Sequence, residues 1–389
     1  MSRRPAKNFT EANYGLDMRN ATRPLTRIRA MRYEETSVEK RFPDASADRA
    51  SNVGISEVAR IAGVSKATVS RVLNGAPNVQ DAYRERVLAA VAEVDYRPNR
   101  LARNLRRQKA EIIGVVVSDI ENPHFSEAVR TIEDASFRAG YRVMLCNTDE
   151  TPAKQRAYLQ MLADERVLGA ILSPADRAGE GAAQLLDLQI PIVCFDRVID
   201  DPRVDAVVCD NIEGVRRATE HLLWLGHERI AYLGGRRGVE TGAERLKGYL
   251  STMRDAGKIP FAVDGGFRTD TAEQVTAGLL HEPRRATALL VANNLMTLGA
   301  LRAIRAAGLS IPDDIAIVGV DDPPWADLVD PPLTTVAQPV REMAETAMDL
   351  LFARIQGRSS TANRVVLPLE LRVRASSGMT SSTGEGGRA

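Results

Sequence analysis

Eight short apolar runs between residues 112 and 320 constrain the fold of this 389-residue chain more than any other feature. They occupy residues 112–117, 142–147, 169–173, 192–196, 206–210, 230–234, 288–292 and 315–320. Each has the length and apolar content of a strand, and amphipathic helical stretches such as Phe125–Ala139 and Asn211–Leu225 lie between most of them. Alternation of this kind specifies a doubly wound parallel α/β architecture. The strands are too many for one compact sheet, so the pattern predicts two similar subdomains with a cleft between them. Polar residues just beyond the strand ends should line that cleft.

A different period precedes them. Val58, Ala59 and Ala62, then Val69, Val72 and Leu73, recur at helical spacing within Ile55–Asn74. Between the two sets, Gly63 can take the left-handed conformation that ends a helix, and Ser65 can cap the next one. Two helices joined by so tight a turn cross steeply, which is helix-turn-helix geometry. The second helix exposes Lys66, Ala67, Ser70 and Arg71, side chains short or cationic enough for a major groove. Taken alone, this is also the pattern of an ordinary helical hairpin. A third helix is expected from Asp81 to Val94, with Val87, Leu88, Val91 and Val94 on its inner face. Pro98 then stops one element and Asn99 can cap another, a short segment carrying Arg100, Arg103, Arg106 and Arg107 beside Leu101, Ala102 and Leu105. So short a helix is marginal alone in water. It is either a plain linker or a helix that forms only against DNA and a second copy of itself.

Charge divides the chain at the same place. Residues 1–109 carry 22 Lys and Arg against 12 Asp and Glu, while residues 110–389 carry 30 against 39. A basic front on an acidic body suits a polyanion partner for the front alone. Cys146, Cys194 and Cys209 lie in apolar runs without CxxC spacing, which reads as buried free thiols in a reducing compartment. No apolar run approaches a membrane span, and the first residues lack the apolar core of a signal peptide. The expectation is a cytoplasmic, nucleoid-associated protein that meets no membrane. The four histidines show no metal-binding spacing, and neither a phosphate loop nor a GxSxG elbow is present. Asp321 and Asp322 are adjacent, and an i, i+1 pair need not face one substrate. No enzyme, cofactor or metal is expected.

The run V-A-x-x-A-G-V-S-x-A-T-V-S-R-V-L-N-G from Val58, followed by Y-R-P-N-x-L-A-R-x-L from Tyr96, resembles the headpiece and hinge of the lactose-repressor family of bacterial transcription regulators. The resemblance covers roughly residues 55–376. It implies a helix-turn-helix headpiece joined to an α/β periplasmic-binding-protein-like core of two doubly wound parallel-sheet subdomains. By position, Lys66, Ala67 and Arg71 would face base edges, and Ser65, Thr68, Ser70 and Asn74 would bind phosphate. In the hinge, Leu105 would wedge into the minor groove, Ala102 would permit close approach, Asn99 would begin the helix and Arg106 would reach a base edge or the backbone. A two-fold dimer would read an approximate palindrome. The family allows tetramers as well, and no leucine-heptad tail is written here.

For the core, the resemblance implies a small-molecule effector, a sugar or sugar derivative, held between the subdomains. His124 and Phe125 follow the first strand, Asp196 and Arg197 the fourth, and Arg245 stands at an arginine that commonly grips hydroxyls or a carboxylate. Phe267 falls at an aromatic wall, and Asn293 and Asp321 complete the ring. Val239 and Glu240 depart from positions where relatives carry ligand-binding residues, and Asn294 replaces a more usual acid. These departures leave room for a regulator whose pocket answers to a partner protein instead. The expected boundaries are an extension over 1–53, a headpiece over 54–98, a hinge over 99–109, a core over 110–376 and a disordered tail over 377–389. Within the core, the first subdomain takes about 110–209 and 337–362, and the second about 210–336 and 363–376. The rival reading is a sugar-binding protein or sugar-acting α/β enzyme with a non-DNA-binding N-terminal arm. Deleting residues 1–109 separates the two, because only a regulator would lose a function with them.

Overall fold

The computed structural model describes residues 54–73, 76, 78–94, 96, 111–235, 238–282, 285–359 and 361–378. The chain forms two compact units that divide between Arg97 and Pro98.

In the first unit, helices α1 (Ile55–Ala62), α2 (Lys66–Leu73) and α3 (Asp81–Glu93) enclose a core of Val58, Ala59, Ala62, Val69, Val72, Val79, Val87 and Ala90. Gly63 ends α1 at φ +60°, a conformation that costs a glycine nothing, and its N–H bonds back to the Ala59 and Arg60 carbonyls. Its own carbonyl accepts Arg86 of α3 at 3.3 Å, so the third helix fastens the turn. Ser65 caps α2 by accepting the Thr68 N–H at 3.1 Å. Leu88 corrects the sequence reading of α3: it is 51 % exposed. Val87, Ala90, Val91 and Val94 follow i, i+3, i+4, i+7 and fill the narrow inner face, leaving Leu88 on its flank.

The second unit holds two six-stranded sheets. The first, in the order β11-β5-β4-β3-β1-β2, is wholly parallel. It comprises β1 (Ile112–Val117), β2 (Arg142–Asn147), β3 (Gly169–Leu172), β4 (Ile192–Phe195), β5 (Asp205–Cys209) and β11 (Arg364–Leu367). The second runs β12-β10-β9-β8-β6-β7, parallel except at β12. It comprises β6 (Ile230–Gly234), β7 (Phe261–Asp264), β8 (Ala288–Val291), β9 (Ala316–Val320), β10 (Thr334–Ala337) and β12 (Glu370–Arg372). Every residue of β3, β4, β5, β6, β8 and β9 is buried, as strands covered on both faces require.

Helices α4 (Pro123–Arg138), α5 (Pro152–Asp164) and α6 (Ala182–Asp187) connect the first sheet, and α11 (Val340–Ile355) packs on it beside α4. Helices α7 (Asn211–Trp224), α8 (Glu240–Asp255), α9 (Thr269–Leu280) and α10 (Asn294–Ala306) serve the second. The chain crosses between lobes after β5, after β10 and after β11.

Two expected boundaries move. The second subdomain does not resume at residue 363: Arg364 through Leu367 pair in register with Ala206 through Cys209 of the first sheet, so the last crossing falls at Pro368 and Leu369. The tail does not begin at Ser377. Ser376 and Ser377 lie buried in a 3₁₀ turn (Ala375–Ser377). The Ser376 hydroxyl donates to the Ile317 carbonyl at 2.7 Å, and that of Ser377 meets His221 at 2.9 Å. A Ser-rich composition reads as polar and loose only while its hydroxyls lack partners. Residues 1–53 and 379–389, assigned above to an extension and a tail, lie outside the described residues.

Candidate functional site

The C-terminal ends of both sheets face one cavity of about 510 Å³ of empty space, part of it open to solvent. His124, Phe125, Asp196, Arg197, Arg245, Phe267, Asn293 and Asp321 all line it. So do Asp119, Asn122, Glu150, Thr241, Arg268, Leu295 and Gln338, which the sequence reading passed over. Asp119 and Asn122 lie in the loop between β1 and the start of α4, where His124 stands, so that strand end pointed to them. Glu150 follows β2 and Gln338 follows β10. Applying the strand-end rule after β2 finds Glu150, but β10 (Thr-Thr-Val-Ala) carries too little apolar signal to find Gln338 from sequence.

The loops hold their side chains there at a conformational cost. Among the described residues, seven non-glycines have positive φ, and four of them line this cleft: Glu150, Asp196, Phe267 and Asp321. Such residues each store about 1–3 kcal/mol of strain and cluster at binding sites. Asp196 and Asp321 do so in the same way, each donating its N–H at 2.9 Å to the neighbouring strand, at Val207 and Val336. The Phe267 ring lies directly against Gly235, where a Cβ would collide with it. This close approach requires glycine immediately after β6.

Charge in the cleft is largely paired by the protein itself. Arg197 donates to both carboxylate oxygens of half-buried Glu150 at 2.6 and 2.7 Å and to the Pro174 carbonyl at 3.2 Å. Burial opposes the Arg197 charge, but the Glu150 hydrogen bonds and the nearby carboxylates outweigh it and raise the guanidinium pKa. Burial also raises the Asp119 carboxyl, against the Glu121 amide and Arg268. Arg245 is fixed by neutral partners, the Asn211 side-chain oxygen at 2.7 Å and the Ala292 carbonyl at 2.8 Å. Asp321 accepts Gln338 at 2.6 Å and the Asn294 amide at 3.2 Å. Asp322 turns elsewhere, pairing with Arg372 and Arg374. The adjacent carboxylates therefore serve different purposes. Asn293 uses its side-chain oxygen to cap α10 through the Met296 N–H.

Among the lining residues, several buried polar atoms have no hydrogen-bond partner: both ring nitrogens of His124, Nε of Arg197 and Oε1 of Gln338. Buried polar groups normally find partners, so these mark a place where hydrogen-bonding matter fits. The His124 ring is edge-on to Phe125 with centroids 4.9 Å apart and lies 3.6 Å from Asp196. Donors and acceptors framed by aromatic walls suit a small polar molecule. The thiols offer no nucleophile: burial pushes Cys146 up to about 11 and Cys194 and Cys209 up to about 12. No group of three or more His, Cys, Asp or Glu side chains among the described residues is arranged to hold a metal ion.

In the first unit, Ser65, Lys66, Ala67 and Arg71 are exposed and Thr68 and Ser70 half-buried, while Val69 and Val72 face the core. The short and cationic side chains of α2 thus share its outer side. Asn74, Asn99, Ala102, Leu105 and Arg106 lie outside the described residues. No described helix is long and apolar enough to cross a membrane.

Residues 54–99 match the family of bacterial regulatory proteins, lacI family, and residues 219–377 match the periplasmic binding protein-like domain. The HTH-type transcriptional repressor PurR of Photobacterium profundum is 34 % identical over 330 residues, covering 83 % of this chain and 98 % of that protein. The ribose operon repressor of Halalkalibacterium halodurans is 36 % identical over 320 residues, covering 82 % and 96 %. Among solved structures, the lac repressor dimer bound to operator and the anti-inducer ONPF superposes with a TM-score of 0.74 at 33 % identity, over 84 % of this chain and 99 % of that one. This chain belongs to the lacI family of bacterial regulatory proteins: it is a DNA-binding transcriptional repressor under effector control, and not an enzyme.

Proposed function

We propose that this cytoplasmic repressor, acting as a homodimer, binds a palindromic operator and is controlled by an uncharged, sugar-like effector in the cleft between its lobes. The observation that carries the reading is the convergence of aromatic walls and unpartnered buried polar atoms on one cavity. His124, Phe125 and Phe267 cover the sugar faces, and Asp196, Arg197, Arg245, Asn293 and Asp321 take its hydroxyls. Four lining carboxylates (Asp119, Glu150, Asp196, Asp321) stand against three arginines, two of them already paired with Glu150 and Asp119. That balance favours a neutral polyol over a sugar phosphate or sugar acid. A ribose operon repressor among the relatives makes D-ribose the first molecule to try.

On the DNA side, Lys66, Ala67 and Arg71 read base edges, and Ser65, Thr68, Ser70 and Asn74 hold phosphates. The assignments of Asn99, Ala102, Leu105 and Arg106 to a minor-groove hinge rest on sequence resemblance alone. Calorimetry with D-ribose, other neutral sugars and ribose 5-phosphate tests the effector, and selection from random duplexes tests the operator. Binding of the phosphate alone, or selection of no palindrome at moderate salt, overturns the corresponding half.

A further inference from the structure

Glu240, the first residue of α8, belongs to the second lobe, yet both its carboxylate oxygens bond to the first. Oε2 accepts the Val198 N–H at 3.1 Å, and Oε1 accepts Nη1 of Arg177 at 2.7 Å. Arg177 is itself oriented by Asp200, through Nε at 3.3 Å and Nη2 at 2.5 Å. The Glu240 side chain is 11 % exposed, against 51 % for Arg177, so the carboxylate sits at the sheltered end of the pair. A bond to a main-chain amide fixes position in a way that a pair of mobile side chains does not. It holds the start of α8 against the loop after β4.

Two further lobe-to-lobe bonds are Arg268 to Asp119 and Asn294 to Asn122, each 3.1 Å. Asp119, Asn122 and Arg268 line the cavity. Glu240 does not, although its neighbour Thr241 does. Glu240 therefore joins the lobes without occupying the surface a ligand would touch.

We infer that Glu240 is a positioning residue, an electrostatic clasp that sets the equilibrium between joined and separated lobes and through it the affinity of the cleft. Ligand affinity scales with the fraction of molecules whose lobes are competent to bind. Loss of the clasp therefore weakens every cleft ligand by one common factor and leaves the ranking of ligands unchanged. The affinity arm rests on the effector reading above, whereas the clasp itself does not.

The test is amide hydrogen exchange on the full chain without added sugar, comparing wild type with Glu240→Ala and Glu240→Gln. In Glu240→Ala, exchange at 198–200 is expected to quicken about tenfold, and the remote segments 119–125 and 266–268 are expected to quicken with it as the lobes part. Glu240→Gln keeps an acceptor for Val198 and falls between. Acceleration confined to 198–200 overturns the inference, since the contact is then only local. If exchange rises throughout β3 and β8, the variant has lost its fold and Arg177→Ala, which leaves α8 intact, decides by the same criterion. D-ribose and the other neutral sugars are then titrated into wild type and Glu240→Gln. A common loss factor supports the clasp, and a reordered ranking overturns it. If no sugar binds either protein, the effector reading fails and the exchange result still judges Glu240.

Discussion

Arg197 and Arg71 show how burial decides what an arginine is for. Arg197 is buried against Glu150, and desolvation would make it intolerable without that carboxylate. Glu150→Ala strips both charge-assisted hydrogen bonds and leaves the buried guanidinium, as an ion pair, only the longer 3.5 Å approach of Asp196, a change that costs about 3–5 kcal/mol. Urea denaturation of the core should show the midpoint falling accordingly, and an unchanged midpoint removes the pair from the account. Arg71 is exposed on α2. Arg71→Ala should leave stability within about 0.5 kcal/mol. It should instead cost about 1–3 kcal/mol of DNA affinity and relax preference at one base position. Binding measured on a set of operator point variants checks this, and a uniform loss across all of them would identify a phosphate contact.

At the scale of elements, the C-terminal turn is fastened to α7 by a titratable group, with a second histidine just beyond the helix. His221 meets the Ser377 hydroxyl at 2.9 Å, and His227 meets Thr287 at 3.1 Å. Burial lowers both histidine pKa values, His221 further through His227. The folded pKa lies below the unfolded value of 6.5, so the unfolded chain takes up protons first as pH falls. Their contribution is therefore intact above pH 6.5 and is lost as pH falls through the lower folded values. Thermal melts at pH 7.5 and 5.5 should show the wild type losing more stability than His221→Gln/His227→Gln, and equal losses refute the linkage. This turn was illegible in the sequence because Ser376 and Ser377 differ from a loose tail only in their partners. Seven of the eight apolar runs were legible because strands buried on both faces admit little else; the eighth, β2, lies at a sheet edge and was legible because Val143, Met144, Leu145 and Cys146 keep its run apolar despite partial exposure. The strands β7, β11 and β12 were not, since each lies at a sheet edge where exposed residues break the apolar run. Likewise, strand ends led to His124, Phe125, Asp196, Arg197, Asn293 and Asp321, and the family resemblance to Arg245 and Phe267, whereas Glu240 takes its meaning from a Val198 amide 42 positions away, which no local pattern reports.

For the whole molecule, the division of charge sets how DNA and effector share one chain. The 22 basic residues against 12 acidic in residues 1–109 supply the attraction for phosphate, and the 30 against 39 in the remainder oppose it. A core without residues 1–109 should therefore keep its sugar affinity and bind no duplex at any salt concentration. The full chain should bind DNA with an affinity that falls steeply with salt, because each neutralised phosphate releases a counterion. For six or more phosphate contacts, the loss between 50 and 200 mM is about 10³-fold. Arg71→Ala and the wild type should share most of that slope, since a base contact releases no counterion, whereas changing a phosphate contact flattens it by about one. Sugar binding to the core should be nearly indifferent to the same salt range, because Arg197 and Arg268 are each paired with a cleft carboxylate within a few ångströms. A salt-sensitive sugar affinity would mean that the ligand carries charge, and the neutral effector would have to be given up while the DNA assignment stood.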